Sequence, residues 1–140
     1  MSLLGNKYDI SMWQGSTFGL TAQLVHANNT PKNISGQQIR MQIRSSFEEE
    51  TPEETLTTSN GEITITDAAN GTFHIELSAA RTANIEVDLY NLSTVKLEDD
   101  TSVKLPKQTY VYDVEMDNSG QVTKVLYGKV FVYGEVTRNV

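Results

Sequence analysis

Asp113 and Glu115 are the residues whose types and spacing come nearest to a catalytic pair. On an extended strand, residues two apart share a face, with Cα atoms roughly 6 to 7 Å apart. Carboxyl groups at such a separation carry out glycoside hydrolysis, one as the acid and the other as base or nucleophile. Solvated carboxylates are nevertheless common on the strands of acidic proteins. We therefore expect no catalytic residues and no enzymatic activity.

The chain lacks the residues that nucleophilic catalysis and phosphate binding need. The chain has no cysteine, its two histidines are far apart, and neither has a neighbouring serine or aspartate in a recognisable elbow. The absence of cysteine also excludes disulfides and thiolate metal sites. Its glycines stand alone and none precedes a helix signal, so no phosphate-cradling loop is predicted. We expect no cofactor.

An acidic run is the first candidate for metal binding. Five carboxylates lie within the seven positions from Glu48 to Glu54, and such a run repels itself and usually stays solvated. A calcium site would need a fixed turn with glycine at the bend, which this run lacks. His74 falls on the polar side of a strand beside Glu76, without a second histidine nearby. We predict no metal site, and a flexible acidic loop over about 46–60.

Trp13 is the only tryptophan and the candidate for ligand stacking. A tryptophan in this position is either a core or rim aromatic residue or a platform on which a sugar ring stacks. The second interpretation supports an alternative function, in which tyrosines assist Trp13 and polar groups bind the sugar hydroxyls.

The composition bounds the class of protein. The chain has 140 residues, 38% of them hydrophobic and 21% charged, and predicts a single folded domain over 1–140. Its net charge of −7 disfavours nucleic acid as a partner, because binding the phosphate backbone needs a basic face. No window approaches the ~20 apolar residues of a membrane span, so no membrane is expected either.

A long antiparallel hairpin over 109–138 organises the predicted fold. Its first arm alternates apolar and acidic residues, and Asp-Asn-Ser-Gly at 117–120 supplies the reversal. The return arm is apolar on both faces, with Val122 and Val130 on one and Tyr127, Phe131 and Tyr133 on the other. We predict a second sheet over the first face, and either a partner or the inserted hairpin described below over the second. The edge of this arm shows no proline or bulge, which favours pairing with another chain.

Shorter strands precede this hairpin. Two pieces between Tyr8 and Val25 flank a Gln-Gly-Ser turn. Ile34-Ser35-Gly36 open a further strand that runs to Arg44 and alternates apolar residues with a ladder of glutamine and arginine. Arg40 and Arg44 in that ladder face either solvent or a protein partner. Strands over 61–66 and 72–77 surround Asn70-Gly71, a strong turn dipeptide.

The remaining segment holds a short helix and an insertion. Ser78 is a suitable N-cap for a helix of one or two turns over 79–85. An inserted hairpin is predicted over about 87–107, turning at 98–101 and ending at Pro106. Leu97 and Val103 lie on its arms and are candidate protein contacts. Eight or nine short strands with regular turn signals predict an all-β sandwich.

A series of short motifs runs along nearly the whole chain. The motifs are Tyr8-Asp-Ile, Gln14-Gly-Ser-Thr-Phe, Ile34-Ser-Gly, Met41-Gln-Ile-Arg, Ile63-Thr-Ile, Gly71-Thr-Phe-His-Ile-Glu-Leu-Ser-Ala-Ala-Arg-Thr-Ala, Tyr110-Val-Tyr-Asp-Val-Glu-Met, Gly120-Gln-Val-Thr-Lys-Val-Leu-Tyr-Gly-Lys-Val and Glu135-Val-Thr-Arg. Their order resembles that of a family of small virion structural proteins of tailed bacteriophages and prophages, most of all versions from phages of cyanobacteria. A looser resemblance links the chain to the N-terminal domain of upper baseplate proteins.

This resemblance implies an immunoglobulin-like antiparallel β-sandwich, to which the residues described above add one short helix and an inserted hairpin. It also implies a non-enzymatic protein of the virion, assembled in the host cytoplasm and placed in the tail, the neck or baseplate, or as decoration on the capsid surface. Its partners would be other virion proteins, and it would form a homo-oligomer or repeated copies on a symmetric ring. The alternative is a carbohydrate-binding module on the virion, used for host attachment. The acidic loop and the insertion depart from the family pattern.

Overall fold

A computed structural model describes residues 6–134 of the chain. These residues form ten strands and one short helix. The elements are β1 (Asn6–Lys7), β2 (Ile10–Trp13), β3 (Phe18–Gln23), β4 (Gln38–Arg44), β5 (Glu54–Thr57), β6 (Ile63–Asp67), β7 (Thr72–Leu77), α1 (Ala79–Ala83), β8 (Leu92–Lys96), β9 (Ser102–Asn118) and β10 (Gln121–Tyr133).

Two sheets build the sandwich. The larger sheet runs in the order β1, β10, β9, β4, β5, with β2 also paired to β10 and β8 to β9, and the smaller one in the order β3, β7, β6. This arrangement matches the two sheets of an immunoglobulin domain: β3, β7 and β6 correspond to strands B, E and D, and β4, β9 and β10 to C, F and G. The prediction of an immunoglobulin-like sandwich with one short helix and an inserted hairpin is confirmed.

The core lies between the inner faces of the two sheets. Alternate residues of β9, namely Tyr110, Tyr112, Val114 and Met116, are buried, as the period-2 pattern predicts. From the smaller sheet, Phe73, Ile75 and Leu77 of β7 enter the same cluster. Other fully buried members are Met12, Ile34, Ile39, Met41, Ile43, Leu56, Ile63 and Ile85.

The turn between β9 and β10 has the predicted chemistry. Ser119 and Gly120 both adopt positive φ, 52° and 96°, the backbone that two-residue hairpin loops require. The return arm differs from the prediction at Val125, where a bulge between Lys124 and Leu126 shifts the register. Because of this bulge the parity changes, and Val122 is 45% exposed rather than in the core.

The edge of β10 is occupied, contrary to the prediction of an open edge. The N-terminal strands β1 and β2 both pair with it in parallel, with Asn6 opposite Leu126 and Ile10 opposite Val130. The larger sheet is therefore mixed rather than wholly antiparallel. Because these backbone groups are already paired, β10 offers no template for another chain along this edge.

Because Gly128 has no side chain, the N-terminal segment can lie close to the backbone of β10. A Cβ at this position would lie 2.5 Å from the Tyr8 carbonyl oxygen and 2.8 Å from Asp9 Oδ1. Tyr112 lies opposite Gly128 on β9, and its hydroxyl donates to that same Tyr8 oxygen at 2.5 Å. The absence of a side chain at position 128 thus leaves room for the backbone at Tyr8 and for the Tyr112 ring that hydrogen-bonds to it.

The acidic loop is shorter than predicted. Residues 54–57, placed within the flexible loop over 46–60, form β5, which pairs with β4 and buries Leu56 completely. Arg44 holds the preceding loop, since its guanidinium donates to the carbonyl oxygens of Glu49 and Glu50 at 2.7 and 2.6 Å. Burial of Leu56 and the ion pair of Glu54 with Arg81 therefore hold the end of the acidic run in place.

Helix α1 begins at the predicted cap. The Ser78 hydroxyl accepts a hydrogen bond from the Arg81 amide at 3.3 Å. Arg81 then joins the helix to the larger sheet, donating to Glu54 at 2.5 Å and to Glu62 at 3.0 Å. Buried Thr82 contacts the β2–β3 turn, accepting from the Gly15 amide and donating to the Ser16 carbonyl. The helix therefore fixes one end of the sandwich.

The inserted hairpin consists of β8 and the first residues of β9. Leu92 to Lys96 pair with Pro106 to Ser102, and Leu97 closes the turn by donating to the Thr101 carbonyl. The prediction placed the end of the hairpin at Pro106, but β9 continues through this proline without a break. Within residues 6–134, the last pair between β9 and β10 is Lys107 with Tyr133, so in this part of the chain the hairpin extends past the other strands of the sheet.

Tyr110 ties this projecting region to the body of the domain. Its hydroxyl donates to the Glu86 carbonyl at 2.5 Å, as in the tyrosine corner of immunoglobulin-like sandwiches. The acceptor lies 24 positions upstream because the hairpin is inserted between them. Burial raises the pKa of Tyr110 to about 12 and raises that of Tyr112 as well.

This burial predicts a loss of stability in alkali. A tyrosine pKa raised above its unfolded value of 10.0 favours the folded state below pH 10, and this advantage disappears as the pH rises through about 12. We expect Tyr110→Phe to cost about 1 to 2 kcal/mol at pH 7 through the unpaired Glu86 carbonyl. Between pH 10 and 12 the difference in the free energy of unfolding between Tyr110→Phe and the wild type should become smaller.

Urea unfolding at pH 7, 10 and 11.5 measures this effect. Tyr90→Phe is the matched control, because Tyr90 is 94% exposed. Equal stability of Tyr110→Phe and the wild type at pH 7 would contradict the role given to this hydrogen bond.

Candidate protein-contact surface

An aromatic patch lies on the outer face of the larger sheet. It comprises Trp13, Tyr127, Phe131 and Tyr133. Tyr133 lies opposite Trp13 across β10 and β2, and the two rings stack with centroids 4.8 Å apart. The three predicted contact residues on β10 are half-buried, and Trp13 is 44% exposed. The structure thus joins Trp13, predicted separately for sugar stacking, to the aromatic residues predicted for protein contact.

Three lysines belong to this patch or lie next to it. The Lys107 ammonium lies 4.8 Å from the centroid of the Phe131 ring, a cation–π contact. Lys7 is paired with Tyr127, and Lys129 lies between Tyr127 and Phe131 on β10. Neither Lys7 nor Lys129 forms an ion pair with a residue between positions 6 and 134. The patch therefore combines aromatic rings with lysines, and Lys129 lies within the row of rings on β10.

A second apolar group lies on the inserted hairpin. Val103 faces Val95 across the two strands, Leu105 follows two positions later, and Leu97 precedes the turn. These four residues share one face of the hairpin and are called the hairpin stripe. Leu97 is 47% exposed and Val103 37%, and the part of these two residues in a protein contact stays a prediction.

The patch and the stripe lie on the same side of one strand. Val103 and Leu105 have the parity of Lys107 and Thr109 on the uninterrupted β9, and Lys107 and Thr109 are paired with Tyr133 and Phe131. Since alternate residues of a strand share a face, the apolar surface extends from the aromatic patch onto the hairpin. An outward apolar surface of this extent is typical of interaction sites.

Arg40 and Arg44 lie on the other half of this face and are engaged within the chain. Arg40 Nε is 3.1 Å from Glu115, and its Nη1 is 3.5 Å from Asp117. Hydrogen bonding to Glu115 raises the pKa of Arg40 above its ordinary value. Arg44 holds the acidic loop and also donates to Gln42. Their part in a partner contact stays a prediction, but both guanidinium groups already have acceptors.

The carboxylate pair is also engaged. Asp113 lies 3.1 Å from the Lys124 ammonium, and Glu115 pairs with Arg40. Both acids line a shallow depression on the open sheet face with Gln42 and Arg44. Such cross-strand ion pairs are ordinary on sheet surfaces, and this arrangement adds nothing to the glycosidase hypothesis.

The other polar candidates have local partners. His74 Nδ1 is 2.9 Å from the Thr21 hydroxyl, and its Nε2 is 3.7 Å from Glu76. Between residues 6 and 134, no three histidine, aspartate or glutamate side chains are grouped so that they could hold a metal ion. Within the same range, no helix is long and apolar enough to cross a membrane.

Comparison with known proteins identifies no family. No protein-family model matches the chain, and no curated protein matches it. Among solved structures it is similar to the IG1–IG1 heterodimer of ZIG-8 and RIG-5, with 10% identity, a TM-score of 0.33 and coverage of 95% of this chain and 84% of that one. A likeness at this level carries no argument about function, and the assignment as an immunoglobulin-like domain follows from the strand order.

Local sequence patterns indicate part of this surface only. Tyr127, Phe131 and Tyr133 stood out because they repeat on one side of an apolar strand. Val95 and Leu105 belong to the same surface but were not singled out, although their alternation around Val103 provides the signal. Pairing of Trp13 with Tyr133 joins segments 120 positions apart, and no local pattern indicates it.

Proposed function

We propose that this chain is a non-enzymatic structural protein of a bacteriophage virion. It mediates contacts between subunits in the tail, the neck or baseplate, or on the capsid surface. Two lines support the proposal: the order of sequence motifs that resembles phage virion proteins, and the outward apolar surface. The second carries it, because an aromatic patch continued onto a projecting hairpin has the character of an interface core rather than of a solvated sheet.

The partners proposed are other virion proteins, with further copies of this chain as one of them. The hairpin reaches beyond the sandwich and presents Leu97 and Val103 to solvent. Aromatic residues such as Trp13 and Tyr133 are enriched at the centres of interfaces, where they fill pockets of the partner. The backbone edge of β10 takes no part, since β1 and β2 cover it.

Copurification from disrupted particles tests this function. Particles of the phage that encodes the chain are dissociated, and proteins retained on the immobilised chain are identified by mass spectrometry. We expect a virion protein to be retained, and its retention to fall at least tenfold for the double variant Leu97→Asp with Val103→Asp. Buried apolar contacts of this kind tolerate no introduced charge.

The matched control places the same two charges on the opposite face of the hairpin. Thr94→Asp with Ser102→Asp changes the same two strands but leaves the stripe intact. Retention equal to the wild type is expected for this control. Absence of the chain from purified particles would refute the virion assignment, and binding to a glycan panel that Trp13→Ala abolishes would favour the carbohydrate-binding alternative.

A further inference from the structure

We propose that two copies of this chain form a symmetric dimer through the hairpin stripe and the aromatic patch. This inference rests on the proposed function, because it names one partner for the same surface. The two copies face each other through the outer faces of their larger sheets and run in opposite directions. Each hairpin then lies over the aromatic patch of the other copy. Such a contact uses one surface twice, as two-fold symmetry requires.

The spacing along β9 is the first argument. Leu105 is the reference point. The Val95–Val103 pair lies two positions from Leu105 towards the tip of the hairpin, and the Lys107–Tyr133 pair lies two positions from Leu105 in the opposite direction. Leu97 lies beside Thr101, four positions from Leu105 on the same side as the tip. Phe131 lies beside Thr109, four positions from Leu105 on the other side. Both distances are ~13 Å on a strand. β8 and β10 lie on opposite edges of β9, since Lys107 bonds Asn91 on one side and the Pro106 carbonyl accepts from Gly134 on the other. A two-fold axis through Leu105, tilted so that the strands of the two copies cross, therefore places Val103 near Tyr133 and Leu97 near Phe131.

Charge is the second argument. The turn of the hairpin carries Glu98, Asp99 and Asp100, and this acidic tip begins just beyond Leu97. Lys129 is paired with Val111, six positions from Leu105 in the opposite direction, or ~20 Å. The same axis brings each acidic tip over Lys129 of the other copy. Of the three acids, only Asp100 has an ion-pair partner between residues 6 and 134, the exposed Lys96 at 3.2 Å.

This complementarity specifies the partner. An acidic tip next to an apolar stripe matches an aromatic patch that also carries lysines, and one chain carries both. The net charge of −7 opposes random self-association, so a specific contact must place opposite charges together. A second copy of this chain meets that requirement without any further component.

Two charge-reversal variants test the dimer. The first is Lys129→Glu, whose backbone amide bonds Asp9 whatever side chain it carries. The second combines Glu98→Lys with Asp99→Asn and Asp100→Asn. Asparagine keeps the oxygen that accepts from Thr101 and tolerates the positive φ of 68° at position 100. Circular dichroism confirms that each variant is folded.

Sedimentation equilibrium measures the dimer dissociation constant of the full chain. We expect each variant alone to dimerise at least tenfold more weakly than the wild type, because both contacts of its dimer become repulsive. In an equimolar mixture of the two variants both contacts are again attractive, so a heterodimer of near wild-type affinity should form. Lys32→Glu, in the loop between β3 and β4 at the far end of the domain, should dimerise as the wild type does.

Two results would overturn the inference. The wild type could stay monomeric up to millimolar concentration, or the mixture could associate no better than its separate components. Either result leaves the virion assignment standing if the monomer is still found in particles. If the chain dimerises as described but is absent from purified particles, the proposed virion function is refuted and the dimer inference is not.

Discussion

Replacing Gly128 with alanine is expected to lower the free energy of unfolding by about 2 to 4 kcal/mol, the range of severe single substitutions. The new Cβ would stand 2.5 Å from the Tyr8 carbonyl oxygen, closer than carbon and oxygen can approach. The N-terminal segment must therefore move away from β10. That movement breaks the hydrogen bond from Tyr112 to Tyr8 and weakens the pairing of β2 with β10.

Denaturant unfolding together with amide hydrogen exchange measures this effect. The largest loss of protection against amide exchange should occur in Ile10 to Trp13, and the next largest in β10. Gly19→Ala is the matched control, because Gly19 also lies inside a strand but its Cβ would meet only the end of the His74 side chain, at 3.3 Å. If Gly128→Ala were as stable as this control, the close approach at Tyr8 would not be a constraint on the fold.

Replacing Arg81 with methionine is the second change with a large expected effect. It removes the cation from Glu54 and Glu62, whose side chains are only 13% and 18% exposed. Removing one partner of a largely buried ion pair leaves an uncompensated charge, and we expect a loss of about 2 to 4 kcal/mol at pH 7. The contact between helix α1 and β5 would weaken as well, because Arg81 also donates to the Thr55 carbonyl.

This loss should depend on pH. Burial alone raises the pKa of Glu62, but the Thr57 amide and Arg81 outweigh it and hold the pKa below its ordinary value. A lowered pKa stabilises the folded state above the unfolded value of 4.5, and the contribution is lost as the pH falls through the folded value. The difference between the wild type and Arg81→Met should therefore narrow below pH 4.5.

Arg40→Met is the matched control for this ion pair. Arg40 also contacts two carboxylates, but its side chain is 41% exposed, and exposed pairs contribute about 0 to 1 kcal/mol. Chemical denaturation at pH 7 and pH 3.5 compares the two variants. Losses of equal size at pH 7 would contradict the importance given to burial around Arg81.

Features coded by neighbouring residues were predictable. The alternation from Tyr110 to Met116, the positive-φ turn at Ser119-Gly120 and the Ser78 cap all depend on residues within a few positions of each other. Each was placed correctly because period, turn chemistry and capping act locally. The sandwich followed from the number and spacing of such elements.

Features that depend on distant partners were not predictable. Glu54 looked like one member of a repelling acidic run, since its cation, Arg81, lies 27 positions away. Arg40 looked free for the same reason, since its partners Glu115 and Asp117 lie 75 and 77 positions away. The edge of β10 looked open because its partner is the N-terminal segment, and the bulge at Val125 leaves no mark in the apolar pattern. A single sequence carries no record of such pairings.

The parallel pairing of β2 with β10 also has a consequence for biosynthesis. Ile10 and its partner Val130 are separated by 120 positions, which a ribosome covers in roughly 6 to 24 s at the usual ~5 to 20 residues per second. Throughout that interval Ile10 and Met12 have been translated but their strand partner has not. The nascent chain therefore displays an unpaired apolar strand until Val130 and Val132 have been translated, and we expect this segment to be where chaperones bind it.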